Sequence, residues 1–173
     1  KTEAGALRLD IHNHGLLTTA YDDILRNARE YAPAAHIQGV LVQETVTGGT
    51  EVIVGVTQDP QLGPVLLYGL GGILVELMSD VALRICPIAR WDAEEMINEI
   101  KGSRLMLGFR GRPRGDVAAL ADTLMKVSDL AVNLSDRVQE IDINPLLVLP
   151  EGEGVKALDA LVTVKNPDGS AGV

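Results

Sequence analysis

The chain has 173 residues, a formal charge of −9 and an apolar share of 46%, with one Phe, one Trp and three Tyr. That length suits one domain, or one and a fragment, around an aliphatic core, and the acidic balance argues against a nucleic-acid partner, which needs a basic face. No apolar run approaches the ~20 residues of a membrane helix, no signal peptide is visible, and the single Cys86 excludes an internal disulfide and suits a reducing cytoplasm.

In chain order, residues 6–11 (ALRLDI) alternate weakly and predict a short strand. Leu17, Tyr21, Ile24, Leu25 and Ala28 recur at helical spacing, and Pro33 ends that helix. Two β-rich runs, IQGVLVQETV and EVIVGVTQD, flank TGGT; GPVLLYGL and VALRICPI predict two further strands. Asp92 with Glu95 forms a capping-box pattern, with Trp91 packing beside it, and Asp116 caps a longer helix carrying Val117, Leu120, Ala121, Leu124 and Ala131. The tail KNPDGSAGV is turn-rich and frayed. Strands joined by tight turns with helices inserted between them predict an α+β fold around an antiparallel sheet.

Two hairpins carry unusual polar residues. Gly48-Gly49 fits a two-residue turn, which would set Val46 opposite Glu51 and Glu44 opposite Ile53. Glu44, Val46 and Glu51 then share one face, a set suited to an adenine and its ribose hydroxyls, or simply to solvent. In EIDINPLLVLPEGEGVKALDA, residues 140–160, Glu140, Asp142 and Asn144 share one face of a strand. An even loop puts Asn144 and Asp159 on the same side, and an odd loop parts them. A four-residue loop, 151–154, makes them diagonal neighbours able to share a hard cation such as Mg²⁺. The plainer alternative is a strand with one wet face.

The stretches KTEAGALRL, GVLVQETVTGGTEVIVGVTQDPQLGPVLLYGLGGILVELMSDVALRICPI and EIDINPLLVLPEGEGVKALDA resemble the ATP-grasp domain of the NDP-forming acyl-CoA synthetases, which include the ADP-forming acetate–CoA ligases; the β subunit of succinyl-CoA synthetase is a more distant relative. The resemblance implies an ATP-grasp-like antiparallel or mixed sheet flanked by helices and truncated at its N-terminal lobe. Residues 1–15 would be the tip of that lobe, 16–165 the C-terminal lobe and 166–173 a frayed tail. It implies Asn144 and Asp159 as Mg²⁺ ligands and Asp142 as the acid beside a phosphoryl-accepting histidine of another, CoA-binding domain. It further implies ATP/ADP contacts from Glu44, Val46, Glu51, Lys1, Gly5, Gly71 and Gly72, and matches Arg84 and Arg110 to arginines without an assigned role.

The implied reaction interconverts acyl-CoA, ADP and phosphate with acid, CoA and ATP in the cytoplasm. This chain, which opens on Lys1 rather than Met, would be an inactive piece of that enzyme. The alternative is a degenerate ATP-grasp module with a regulatory or scaffolding role. The family's Gly-Gly loop reads Gly5-Ala6 here, and the methyl would hinder backbone approach to phosphate. His12, His14 and His36 lack ligand spacing and read as solvated, Cys86 as a small core residue, and RGRPRG, residues 110–115, as a loop that either meets phosphate or CoA or is simply solvated.

Overall fold

The structure is a computed structural model, and it describes residues 4–71, 80–108 and 113–165. The chain forms two compact units, Lys1–Thr47 and Gly48–Val173. Lys1, Gly72, Arg110, most of LVELMSD and the tail lie outside the described residues.

The first unit is built on helix α1, His14–Tyr31. Asn13 caps it by accepting the Leu16 N–H at 2.9 Å. The helix ends at Tyr31, and the Ala32 N–H closes it on Ala28 C=O just before Pro33. The expected strand over residues 6–11 does not form, and neither does one over 37–46. A strand needs an edge to pair with. Among the described residues every strand pairing involves residues 50 and beyond.

The second unit is one six-stranded sheet with helices on one face. Its elements are β1 Thr50–Asp59, β2 Gly63–Leu70, β3 Val81–Ile85, α2 Arg90–Glu99, α3 Ser103–Met106, α4 Val117–Asn133, β4 Val138–Val148, β5 Val155–Ala157 and β6 Ala160–Val164. The order is β3-β2-β1-β4-β5, with β6 also on β4, and every pairing is antiparallel. The α+β expectation therefore holds. Asp59 turns β1 into β2 by accepting the Gln61 and Leu62 N–H groups, each at 2.8 Å. These two bonds hold its carboxyl below its ordinary value, Leu62 first.

Alternation divides the sheet. Val52, Val54 and Val56 pair with Leu70, Tyr68 and Leu66 on one side, and with Leu146, Ile143 and Ile141 on the other. This face is buried beneath Ala93, Met96 and Ile97 of α2 and Leu120, Leu124 and Ala131 of α4. Asp116 is the N-cap of α4, as its position predicts. Asp92 is not a cap: the cap is Ala89, whose N–H the Asp92 carboxylate accepts at 2.8 Å from the first turn. Trp91 does not pack there and is 65% exposed. Ser128 is a buried polar side chain of the core, and its hydroxyl accepts the Ile88 N–H at 2.9 Å. Cys86 is buried as expected, and burial pushes its thiol up.

The opposite face carries Glu51, Ile53, Gly55 and Thr57 of β1 and Glu140 and Asp142 of β4. These are exposed or half-buried, and among the described residues no helix of the second unit belongs to this side, called the helix-free face below.

Candidate functional site

Five of the residues singled out in the sequence, Glu51, Gly71, Asp142, Asn144 and Asp159, fall on or beside this helix-free face. Their placement begins with the β4–β5 turn. Val148 pairs with Val155, so the loop holds six residues, 149–154, rather than four. The parity is even, as a shared side requires, but the register moves by one pair. Asn144 and Asp159 become directly opposed rather than diagonal. The Asn144 N–H donates to the Asp159 C=O at 3.1 Å, and the Leu158 N–H to the Pro145 C=O at 3.0 Å. These bonds carry the ladder from β5 into β6, where Ile143 pairs with Ala160 and Asp142 with Leu161.

The turn is pinned from outside. One oxygen of Asp116 accepts the Ala119 N–H at 3.0 Å, and the other accepts Gly152 and Gly154 N–H, each at 3.0 Å. Four residues of sequence at a helix start thus fix a loop more than thirty residues downstream. The bonds lower the Asp116 carboxyl below its ordinary value, Ala119 first.

Asn144 also sits at an irregularity. Val52 pairs with Leu146 and Val54 with Ile143, so Asn144 and Pro145 together oppose Ile53. This is a β-bulge, a device that re-aims a side chain at the edge of a site. Glu51, two residues from Ile53 on the same face, is diagonal to the bulge, and diagonal neighbours lie roughly 7–8 Å apart. Asp142 opposes Gly55 on β1. Asn144, Asp159 and Glu51 are exposed, and Asp142 is half-buried.

Gly71 has a packing reason of its own. Its N–H donates to Glu51 C=O at 2.8 Å, and a Cβ there would come within 3.0 Å of the Glu51 carbonyl carbon. Gly5, in the first unit, has a positive φ of 58°, and its C=O accepts from Asn27 Nδ2 at 3.0 Å. Glu44 is exposed and Val46 half-buried, in a stretch without regular structure. The hairpin expected to align them with Glu51 is not formed. Both edges of β1 are taken, by β2 and β4, and at Glu51 the Gly71 N–H takes the place of β2. Gly48 and Gly49 both have positive φ, as the turn residues TGGT suggest, without joining two strands.

Arg84 serves the scaffold. It bridges β3 to α2 through Glu95 at 2.9 Å and Glu99 at 2.6 Å, and the Glu99 bond raises its already high pKa. The position that the sequence reading passed over is Gly55, a glycine inside the β-branched run EVIVGVTQD.

Among the described residues no three His, Cys, Asp or Glu side chains come close enough to enclose a metal by themselves. One amide oxygen and one carboxylate on opposed residues form a different kind of donor set. Mg²⁺ commonly takes one or two protein oxygens and completes its shell with phosphate and water. Asn144 and Asp159 fit that pattern. Among the described residues no helix is long and apolar enough to cross a membrane.

The fold is an open antiparallel sheet with these polar residues along one face, and the chain belongs to the ATP-grasp domain family, which matches residues 1–164. Its relatives are narrower than that family. It is 43% identical over 165 residues to the β subunit of ADP-forming acetate–CoA ligase II of Pyrococcus furiosus, covering 95% of this chain and 70% of that subunit. It is 42% identical to ADP-forming acetate–CoA ligase I of Archaeoglobus fulgidus, covering 90% of this chain and 22% of that protein.

Among solved structures it is similar to the dinucleotide-forming acetyl-coenzyme A synthetase 1 of Ca. Korarchaeum cryptofilum in complex with coenzyme A and Ca-AMPCP. The TM-score is 0.89 at 36% identity, over 95% of this chain and 70% of that one. A second structure of that synthetase, with coenzyme A and Mg-AMPPCP, has its phosphohistidine segment pointing towards the nucleotide binding site; the TM-score is 0.82 at 34% identity, over 95% of this chain and 70% of that one.

Proposed function

We propose that this chain is the ATP-grasp part of an NDP-forming acyl-CoA synthetase. The whole enzyme would interconvert acyl-CoA, ADP and phosphate with acid, CoA and ATP, through a phosphohistidine borne by a CoA-binding domain of the same polypeptide or a partner subunit. The observation that carries this reading is the direct opposition of Asn144 and Asp159 on the helix-free face, with Asp142 and Glu51 beside them.

In this reading Asn144 and Asp159 hold Mg²⁺, which supplies charge neutralisation for the nucleotide phosphates. Asp142 accepts a hydrogen bond from one nitrogen of the incoming imidazole, leaving the other nitrogen for the phosphoryl group. Glu51 and Glu44 accept hydrogen bonds from the ribose and adenine, Val46 lines the base, and Lys1, Gly5, Gly71 and Gly72 contact the phosphates or the loop that bears them. The positioning of charge around the transferring group does the catalytic work. The proposed location is the cytoplasm, which supplies both nucleotide and CoA.

The test is an assay of the full-length protein that contains this chain, with ADP and GDP compared over a panel of acyl-CoA thioesters in the presence of phosphate. CoA release coupled to nucleoside triphosphate formation is expected for at least one thioester. Nucleotide binding without turnover of any thioester would replace the enzyme by a regulatory module.

A further inference from the structure

A glycine within a strand weakens it, because it has no side chain to pack and more freedom to lose. In the second unit the fold explains nearly all of its described glycines. Gly48, Gly49, Gly63, Gly108, Gly152 and Gly154 have positive φ. A Cβ would come within 2.9 Å of Val81 Cγ1 at Gly69, 3.0 Å of the Glu51 backbone at Gly71, 2.0 Å of Leu70 Cδ1 at Gly102 and 3.2 Å of Val148 Cγ1 at Gly115.

Gly55 is different. Its φ is not positive, and a Cβ would lie 3.6 Å from the Ile141 carbonyl oxygen and 3.9 Å from Leu67 Cβ, both ordinary contacts. Among the described residues there is room for a Cβ here. The room opens on the helix-free face, directly across from Asp142 and two residues from Ile53, which opposes the Asn144 bulge.

We propose that Gly55 is a clearance notch that lets the phosphohistidine-bearing segment of the CoA-binding domain settle against Asp142. The inference rests on the function proposed above. The donors Glu51, Asn144 and Asp159 occupy one stretch of the face, where the Mg²⁺–nucleotide would lie. The notch and Asp142 adjoin that stretch, where a phosphoryl acceptor must arrive. In the Korarchaeum synthetase such a segment points towards the nucleotide site. A methyl group at position 55 makes only ordinary contacts with the sheet and would hold the incoming backbone away from the carboxylate, and an isopropyl group would reach further.

The experiment uses Gly55→Ala and Gly55→Val in the full-length holoenzyme. It measures Mg-ADP affinity, thermal stability, transfer of labelled phosphate from ATP to the carrier histidine, and phosphate-dependent release of CoA from acyl-CoA. Phosphate transfer should fall about tenfold in the Ala variant and about 100-fold in the Val variant, as displacements near 1 Å do. ADP affinity and the acyl-CoA half-reaction should stay at wild-type values, and stability should hold or rise. Wild-type transfer in the Val variant overturns the notch, and so does a parallel loss of ADP affinity, which would assign the space to the nucleotide. If the Val variant does not fold, unchanged transfer in the Ala variant overturns the proposal just as well. A wild-type enzyme that binds Mg-ADP but never labels its carrier overturns the proposed function, and the notch with it.

Discussion

The Asn144 N–H donates to the carbonyl of Asp159 at 3.1 Å, which makes two polar residues fifteen positions apart in sequence direct cross-strand partners. Both side chains are exposed. Asn144→Ala or Asp159→Ala in the full-length protein should therefore leave the melting temperature nearly unchanged and abolish Mg²⁺-dependent ADP/ATP exchange. Isotope exchange alongside thermal denaturation checks this. Exchange that survives both substitutions would remove the ion from this pair.

Asp116 joins a helix start to the loop that sets the Asn144–Asp159 register. Its carboxyl is held low by backbone N–H donors, so the charged form is favoured in the folded state. The stability it contributes is present above the ordinary aspartate value of about 4 and is lost as pH falls through its lowered folded value. Asp116→Ala should lower urea stability at pH 7, and the gap from wild type should narrow below about pH 4. Denaturation series at several pH values read this directly.

Gly102 packs its α-carbon against Leu70, where an added Cβ would lie 2.0 Å from Cδ1 and 2.5 Å from Cγ. Leu70 is buried and cannot swing away into solvent. Gly102→Ala should cost about 1–3 kcal/mol through overpacking. Urea unfolding gives the value, and a neutral result would mean that Leu70 finds another rotamer.

Leu124 lies wholly buried between α4 and the sheet. Leu124→Ala should cost about 2–5 kcal/mol through lost burial and the cavity left behind. Arg84→Met is the contrast. The partners of Arg84 are 56% and 40% exposed, so breaking the bridge should cost no more than about 1 kcal/mol. Parallel denaturation curves rank the two.

The parts of the fold that were legible in the sequence are those whose determinants are local. The periodicity of Leu17 to Ala28 marks one helix and the cap Asp116 another, and the β-rich runs mark β1 to β3, whereas the Asn13 cap emerged only from the structure. The failure at residues 37–46 has a physical cause. A β-rich run records a preference for pairing, not which edge is free, and β1 takes β4 as its neighbour from about ninety residues away. An even loop put Asn144 and Asp159 on one side, but the assumed four-residue loop made them diagonal; the actual six-residue loop is bonded to Asp116, a contact no local pattern displays. The roles of Glu44 and Val46 came from resemblance and from a ribbon that does not form. Gly55 was visible as a glycine among β-branched residues, but its meaning needs the strand across from it.

The pairing of β1 with β4 binds two requirements into one. Valines 52, 54 and 56 meet their apolar partners only in the alignment that turns Glu51 and Asp142 the other way. Sliding β4 by a single residue would expose Ile141 and Ile143 and drive Asp142 under the helices. Misalignment of the acidic groups is thus penalised by the hydrophobic interior itself. A sequence that keeps this interior intact keeps its acidic groups aligned on β1 and β4, while Asp116 fixes the turn beyond them.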